Sequence, residues 1–123
     1  MTPVVLVVDD EVDFLATYDR LLRHHGYRTI AAGSRQAALA ALEGEPLALI
    51  IADLRLPDGD GLDVVRAARA HRHPLPVIVV TGFASEQSRR QALAAGATAY
   101  LAKPFSTSAL TSLVREALAE PST

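Results

Sequence analysis

The chain has 123 residues and carries 12 Lys and Arg against 14 Asp and Glu, for a formal net charge of −2. A chain of this length builds one hydrophobic core, and its charge excludes a nucleic-acid binder that relies on bulk positive charge. It contains no cysteine, so disulfides and thiolate metal sites are excluded as well. Its basic residues are eleven Arg and a single Lys, which is Lys103.

The expected location is the cytoplasm, with no membrane contact. No apolar run approaches the roughly 18 residues that a membrane-spanning helix needs. Residues 1–4 have no cationic segment ahead of an apolar stretch and no small-residue cleavage site, so nothing indicates a secretory signal. The lack of cysteine agrees with a reducing compartment.

The first half of the chain predicts strands that alternate with helices. Residues 4–8 are a continuous apolar run, typical of a strand buried on both faces. The helix that follows ends at Gly26, a common helix stop, and Ser34 is the predicted N-cap of the second helix. Residues 28–31 predict a weaker strand and residues 49–51 a buried one. The apolar stripe of the first helix consists of Leu15, Tyr18, Leu22 and His25.

The second half continues this alternation. Helices are predicted at 61–70 and at 85–95, the latter followed by Gly96. Residues 77–80 predict a buried strand, and residues 99–101 predict a short or edge strand. The last helix carries Leu110, Leu113, Val114 and Leu118 on one face.

Five strands that alternate with five helices through short connections indicate one doubly wound α/β domain with a parallel sheet. We expect this domain to span residues 1–119. Residues 120–123 are predicted to be a C-terminal tail or the start of a linker, because Pro121 prevents the last helix from continuing unbent. Residues 58–61 are interpreted as a turn that caps the third helix.

Polar side chains follow four of the five predicted strands. Because ligands of an open parallel sheet bind beyond the carboxyl ends of the strands, we expect these side chains to converge at one edge. A single Asp after a strand is often only a helix N-cap, but the joint pattern favours a site. The residues, in chain order, are Asp9-Asp10, Asp53, Thr81-Gly82 and Lys103-Pro104.

The chemistry of this set predicts a metal ion. Three neighbouring carboxylates repel one another and raise their own pKa values unless a cation lies between them. Oxygen ligands without nearby His or Cys favour a hard ion such as Mg²⁺. A metal ion beside a carboxylate and an ammonium group suits phosphoryl transfer that forms an aspartyl phosphate.

These motifs resemble those of the receiver domain of two-component response regulators over residues 4–118. The resemblance implies a flavodoxin-like (βα)5 fold whose central five-stranded parallel sheet has the order 2-1-3-4-5. It is carried by Val7-Val8-Asp9-Asp10-Glu11, Asp53-Leu54-Arg55-Leu56-Pro57-Asp58-Gly59-Asp60-Gly61-Leu62, Val80-Thr81-Gly82 and Ala99-Tyr100-Leu101-Ala102-Lys103-Pro104-Phe105.

The resemblance also implies roles for individual residues. Asp53 would accept the phosphoryl group, Lys103 would pair with a phosphoryl oxygen, and the Thr81 hydroxyl would follow the phosphate. The implied ligands of Mg²⁺ or Mn²⁺ are Asp9, Asp10, Asp53 and the backbone carbonyl of Arg55. The implied switch residues are Thr81 and Tyr100. The residues implied to line the site are Gly82, Phe83 and Pro104, with a cis bond before Pro104.

The implied function is a signalling switch of a two-component phosphorelay. A histidine kinase or a histidine phosphotransfer protein would donate the phosphoryl group. The exposed residues of the first helix either face this donor or are only a solvated surface. The protein would catalyse only its own phosphorylation and dephosphorylation, with no metabolic substrate. A homodimer is expected through the fourth helix, fifth strand and fifth helix. The effector would be a domain or protein outside this chain, and the turn at 55–61 is similar to that of receivers fused to transcriptional effectors.

Other functions fit the sequence less well. A flavin or nucleotide site is disfavoured because the acidic residues 9–11 would repel a phosphate. A phosphatase with an aspartyl intermediate is disfavoured because Arg55 stands where a general acid is needed. A receiver-like module that binds proteins without being phosphorylated stays open as the alternative.

Overall fold

The alternation of strands and helices is present in the computed structural model, which describes residues 2–44 and 46–119. Four of the five predicted strands extend one residue further toward the carboxyl end than expected. The predicted tail, residues 120–123, lies outside the described residues. In chain order the elements are β1 (Val4–Val8), α1 (Val12–His24), β2 (Arg28–Ala32), α2 (Arg35–Gly44), β3 (Leu49–Ala52), β4 (Arg55–Leu56), β5 (Gly59–Asp60), α3 (Gly61–Ala70), β6 (Val77–Thr81), α4 (Glu86–Ala95), β7 (Ala99–Ala102) and α5 (Thr107–Leu118).

The main sheet has five parallel strands in the order β2-β1-β3-β6-β7. The remaining strands, β4 and β5, pair with each other in a short antiparallel hairpin. With this hairpin set aside, the order is the expected 2-1-3-4-5, so the predicted fold is confirmed. None of the helices in the described part of the chain has the length and apolarity of a membrane-spanning segment.

The buried strands supply both faces of the sheet, because successive side chains of a strand point to opposite sides. Leu6 and Val8 pack toward α2, α3 and α4, whereas Val5 and Val7 pack toward α1 and α5. The strands at the edges, β2 and β7, are less buried than β1, β3 and β6. The continuous apolar runs therefore build two core layers, and burying each large side chain contributes about 1.5–3 kcal/mol.

Short polar side chains begin several helices. The Ser34 hydroxyl accepts the backbone N–H of Ala37 at 3.1 Å, as expected of an N-cap. Ser85 caps α4 together with Ser88 in a capping box, so it precedes the helix rather than belonging to it. Gly96 ends α4 with a positive φ of 112°, a backbone conformation that favours glycine.

The turn at residues 58–61 serves two helices rather than one. Asp60 caps α3 as predicted, since its side chain accepts the backbone N–H of Leu62 at 2.9 Å. Asp58 instead caps α2, where its two carboxylate oxygens accept the backbone N–H groups of Arg35 and Gln36 at 2.7 and 2.9 Å. These bonds, that from Gln36 foremost, lower the pKa of Asp58. The loop that follows Asp53 is therefore tied to the first turn of α2.

Gly61 allows α3 to begin directly against this same loop. Its backbone N–H donates to the carbonyl of Leu54 at 2.8 Å. A Cβ atom at Gly61 would overlap the carbonyl oxygen of Asp53 and would lie 2.8 Å from the Cα atom of Leu54. The close approach of two backbone segments thus requires glycine here.

Gly61→Ala is expected to lower the free energy of unfolding by about 1–3 kcal/mol, because the loop after Asp53 must shift to admit the methyl group. Urea unfolding measures this loss. Gly44→Ala is the matched control, since a Cβ atom at the end of α2 would meet nothing within 4 Å. A Gly61→Ala protein as stable as Gly44→Ala would contradict the expected overlap.

Candidate functional site

The polar residues at the strand ends meet at the carboxyl edge of the sheet. Backbone hydrogen bonds between neighbouring strands continue past the strand ends and place these polar residues at that edge. The N–H of Asp9 donates to Ala32 at 3.0 Å, and the N–H of Asp53 donates to Val8 at 2.9 Å. The N–H of Lys103 donates to the carbonyl of Thr81 at 2.9 Å. The sheet itself therefore sets the positions from which these side chains extend.

Lys103 joins the two buried carboxylates. Its Nζ donates to Oδ2 of Asp9 at 2.7 Å and to Oδ2 of Asp53 at 2.8 Å. The three side chains are almost fully buried, with exposed fractions of 6% for Lys103, 0% for Asp9 and 6% for Asp53. A buried carboxylate needs such a partner, because leaving it unpaired away from water is costly.

Burial and pairing act in opposite directions on the charges of this group. Burial raises the pKa of Asp9, and the hydrogen bonds from Lys103 and from the backbone of Glu11 offset this only in part. Burial alone would lower the pKa of Lys103, but its hydrogen bonds to Asp53 and Asp9 outweigh burial and raise that pKa. The ammonium group therefore stays charged, while desolvation disfavours the charged form of Asp9.

Three carboxylates form a group that is able to hold a cation. Asp9, Glu11 and Asp53 each offer an oxygen, and these oxygens lie within 4.8 Å of one another. Ligands on opposite sides of Mg²⁺ are separated by about 4 Å, and carboxylate oxygens are the ligands that hard cations prefer. The donor set present at this edge thus fits a hard divalent cation.

Glu11 belongs to this group although the sequence pattern did not point to it. Its backbone N–H donates to Oδ1 of Asp9 at 2.9 Å, and this bond turns the chain so that the Glu11 carboxylate lies 3.8 Å from Nζ of Lys103. Asp10, which was predicted as a ligand, has an exposed side chain and lies outside the carboxylate group found among the described residues. The structure therefore brings Asp9, Glu11 and Asp53 together and leaves Asp10 exposed beside them.

The two predicted switch residues both contact the segment between β6 and α4. Thr81 is fully buried, and its hydroxyl accepts the backbone N–H of Phe83 at 3.1 Å. Tyr100 is half-buried on β7, where its hydroxyl is hydrogen-bonded to the Ser88 hydroxyl and accepts the N–H of Ser85 at 3.3 Å. The loop that leads into α4 is therefore held at both ends by hydroxyl groups.

Arg55 and Phe83 lie at the mouth of the site. The backbone N–H of Arg55 donates to Oδ1 of Asp53 at 3.1 Å. Its guanidinium carbon lies 3.6 Å from the ring centroid of Phe83, a side chain that is 60% exposed. On the opposite side, a Cβ atom at Gly82 would lie 4.0 Å from Cδ of Lys103, and the Lys103–Pro104 peptide bond is cis.

Phe14 is a further neighbour of the site that sequence reasoning did not identify. Nζ of Lys103 lies 4.0 Å from the centroid of its ring. The periodic stripe of α1 pointed to other positions of the helix as core residues, and a contact between residues 14 and 103 leaves no local pattern. Only the fold brings this ring to the ammonium group.

Asp9→Asn is expected to raise the free energy of unfolding at neutral pH without divalent cations, by an amount on the order of 1 kcal/mol. Burial raises the pKa of Asp9 in the folded protein above its ordinary value of 3.8, so the folded protein loses stability as pH rises through the folded pKa. Asn avoids this loss, and its advantage should therefore shrink as pH falls toward that ordinary value.

Urea unfolding in a metal chelator, from mildly acidic to neutral pH, measures the difference between the two proteins. Asp13→Asn, which neutralises an exposed carboxylate on α1, is the control and should not show this gain. An Asp9→Asn protein less stable than the wild type at neutral pH would show that pairing with Lys103 outweighs the cost of burial.

Comparison with known proteins identifies the fold and the family. The family model of the response regulator receiver domain matches residues 5–115. In sequence, the chain is similar to the transcriptional regulatory protein PrrA of Mycobacterium tuberculosis, with 40% identity over 118 residues, which are 95% of this chain and 50% of PrrA. The chain spans between 26% and 56% of the length of the curated relatives it matches first.

Solved structures agree with this match. A CheY-like response regulator receiver domain protein of Methanospirillum hungatei has a TM-score of 0.91 and 32% identity, covering 96% of this chain and 94% of that one. A response regulator protein of Burkholderia pseudomallei, crystallised with a phosphorylated aspartic acid, a calcium ion and citrate, has a TM-score of 0.82 and 30% identity over 97% of this chain and 75% of its own. With its sheet order, its acidic edge and these matches in agreement, the chain belongs to the response regulator receiver domain family.

Proposed function

We propose that this domain is a phosphorylation-activated switch of a two-component phosphorelay and that Asp53 accepts the phosphoryl group. The observation that carries the proposal is the buried ammonium group of Lys103, which is shared between Asp9 and Asp53 at the carboxyl edge of the sheet. Membership in the receiver family supports it, and so does the phosphorylated aspartic acid of the Burkholderia pseudomallei relative.

Asp53 is better placed than Asp9 for this role. Each carboxylate receives one backbone bond and one bond from Lys103, so hydrogen bonding does not separate the two, but Asp9 is fully buried. Asp53 retains some exposure and lies next to Arg55 at the open side of the site. In the proposed transfer, a carboxylate oxygen of Asp53 attacks the phosphorus of a phosphohistidine. The new P–O bond forms as the P–N bond breaks, and the electron pair of the P–N bond returns to the imidazole nitrogen.

The acidic edge would hold Mg²⁺ or Mn²⁺ during this transfer. We propose Asp9, Asp10, Asp53 and the backbone carbonyl of Arg55 as its ligands, with Glu11 close to Asp9 and Asp53. Asp10 is exposed beside this group and would turn toward the ion when it binds. A bound divalent ion would neutralise negative charge on the phosphoryl oxygens. Lys103 would be within reach of the phosphoryl oxygens once it releases Oδ2 of Asp53.

The switch would act through the segment between β6 and α4. A phosphoryl group adds a charge of about −1.5 to −2, which attracts donors such as the Thr81 hydroxyl and Lys103. If the Thr81 side chain rotates to bring its hydroxyl to a phosphoryl oxygen, its oxygen moves relative to the N–H of Phe83, and we expect the loop that Tyr100 binds at Ser85 to move with it. Gly82 and Pro104 would line this path beside the phosphoryl group. The altered face would consist of α4, β7 and α5, through which we propose homodimerisation.

The proposed partners follow from this arrangement. A histidine kinase or histidine phosphotransfer protein would donate the phosphoryl group at the α1 side, and an effector domain or protein would read the α4–β7–α5 face. The domain would occupy residues 1–119 and lie in the cytoplasm. Its only catalysis would be its own phosphorylation and dephosphorylation, without a metabolic substrate or direct nucleic-acid contact.

Incubation with Mg²⁺ and a small acyl phosphate should add one phosphoryl group to the wild-type protein, as measured by intact mass. Asp53→Asn should abolish this addition because the attacking carboxylate is gone. Asp13→Asn, which removes an exposed carboxylate on α1, is the control and should be phosphorylated normally. A wild-type protein that never gains mass would favour an interaction module that works without phosphorylation.

Lys103→Arg should impair switching by about tenfold or more, the factor that corresponds to the roughly 1.5–3 kcal/mol of a charge-assisted hydrogen bond. The site holds a compact ammonium at 2.7 and 2.8 Å from two carboxylates, and a planar guanidinium does not fit this geometry. NMR shifts of Thr81 and Tyr100 at equal phosphorylation measure the effect. Arg72→Lys, a swap at an exposed residue before β6, is the control, and normal switching in Lys103→Arg would refute the prediction.

A further inference from the structure

The ammonium group of Lys103 has three N–H bonds, and its two short hydrogen bonds account for two of them. They donate to Asp9 and Asp53 at 2.7 and 2.8 Å. The remaining side of Nζ faces the ring of Phe14, whose centroid is 4.0 Å away. Glu11 also lies near, but its side chain is 57% exposed and its oxygen is 3.8 Å from Nζ, too far for a hydrogen bond.

The ring of Phe14 is itself fixed by other aromatic rings. It lies in the first turn of α1, 6.0 Å from the ring of Phe105 and 6.3 Å from the ring of Tyr18. Phe105 in turn stacks on Tyr18 at 5.9 Å with an interplanar angle of 9°. Because Phe105 follows Lys103 by two residues, the cluster joins α1 to the segment that carries the lysine. These contacts hold the face of the Phe14 ring toward the ammonium group of Lys103.

An aromatic face suits this position better than another carboxylate. It attracts a cation through its quadrupole, and the attraction is stronger where water is excluded, as it is around a lysine that is 6% exposed. It adds no net negative charge to an edge that already holds three carboxylates, so it does not repel an incoming phosphoryl group. It also accepts no strong hydrogen bond that would have to be broken when the ammonium moves.

We propose that Phe14 is a positioning residue for Lys103, holding the ammonium group between Asp9 and Asp53 through a cation–π contact. The consequence for phosphorylation rests on the proposed function, because it requires Lys103 to meet a phosphoryl oxygen on Asp53. The contact itself exists in the unphosphorylated, metal-free protein and is testable there. It would make Phe14 part of the machinery of the site although it carries no polar atom.

The test replaces Phe14 with a trifluorinated phenylalanine, which nearly keeps the shape of the ring but weakens the negative potential of its face. Since Lys103 is the single lysine of the chain, isotope-labelled lysine gives one side-chain signal. NMR relaxation of its Nζ reports how firmly the ammonium is held. We expect the population of lysine conformers away from the ring to rise about threefold, the factor typical of a weakened cation–π contact. Phe14→Tyr, which keeps the face of the ring, should leave the mobility of Nζ of Lys103 as it is in the wild type.

The matched control places the same fluorinated residue at Phe105, which belongs to the same aromatic cluster but does not lie under the ammonium. Lysine mobility unchanged by fluorination at position 14, or raised equally by fluorination at position 105, would overturn the proposal and leave Phe14 as a packing residue only. Phosphorylation by an acyl phosphate is measured on the same proteins, and a reduction of about threefold at position 14 alone is expected. A wild-type protein that is not phosphorylated would refute the proposed function while the relaxation result still decides on Phe14.

Discussion

Two carboxylates buried at one edge of a sheet require a cation, and Lys103 supplies it. Asp9 and Asp53 follow β1 and β3, neighbouring strands of the sheet centre, so their side chains extend into the same small volume. Lys103 reaches them from the edge strand β7, across the intervening β6. A strand order that placed these three residues far apart would leave a buried charge unpaired, and the folded state would lose several kcal/mol of stability. The charge pairing of the site therefore depends on the strand order of the sheet.

Much of this arrangement was predictable from local sequence. Continuous apolar runs indicate strands buried on both faces, and the rule that ligands gather at carboxyl ends then places Asp9, Asp53, Thr81 and Lys103 at one edge. The site residues predicted from strand ends needed no knowledge of distant contacts, because a parallel sheet aligns the ends of its strands automatically. The hydroxyl of Thr81 and the cap at Ser34 follow from equally local signals.

Other features depended on the folded chain. Glu11 joins the acidic group because its backbone N–H donates to Asp9 in the turn after β1, which leaves its carboxylate near Lys103. Phe14 meets Lys103 across 89 positions of sequence, and Asp58 accepts backbone N–H groups of α2 that lie 22 and 23 residues before it. Nothing in the neighbourhood of these residues distinguishes them from ordinary surface or core positions, since their partners are set by tertiary packing.

The cap that Asp58 provides makes the two walls of the site unequal in stiffness. One wall, the loop after Asp53, is anchored through a charged group to the backbone of α2 and is wedged against α3 at Gly61, so displacing it would unravel a helix terminus. The other wall, residues 82–85, is held by single backbone N–H bonds to the hydroxyl oxygens of Thr81 and Tyr100. We therefore expect a change at Asp53 to displace residues 82–85 and the start of α4 more readily than the loop that Asp58 ties to α2.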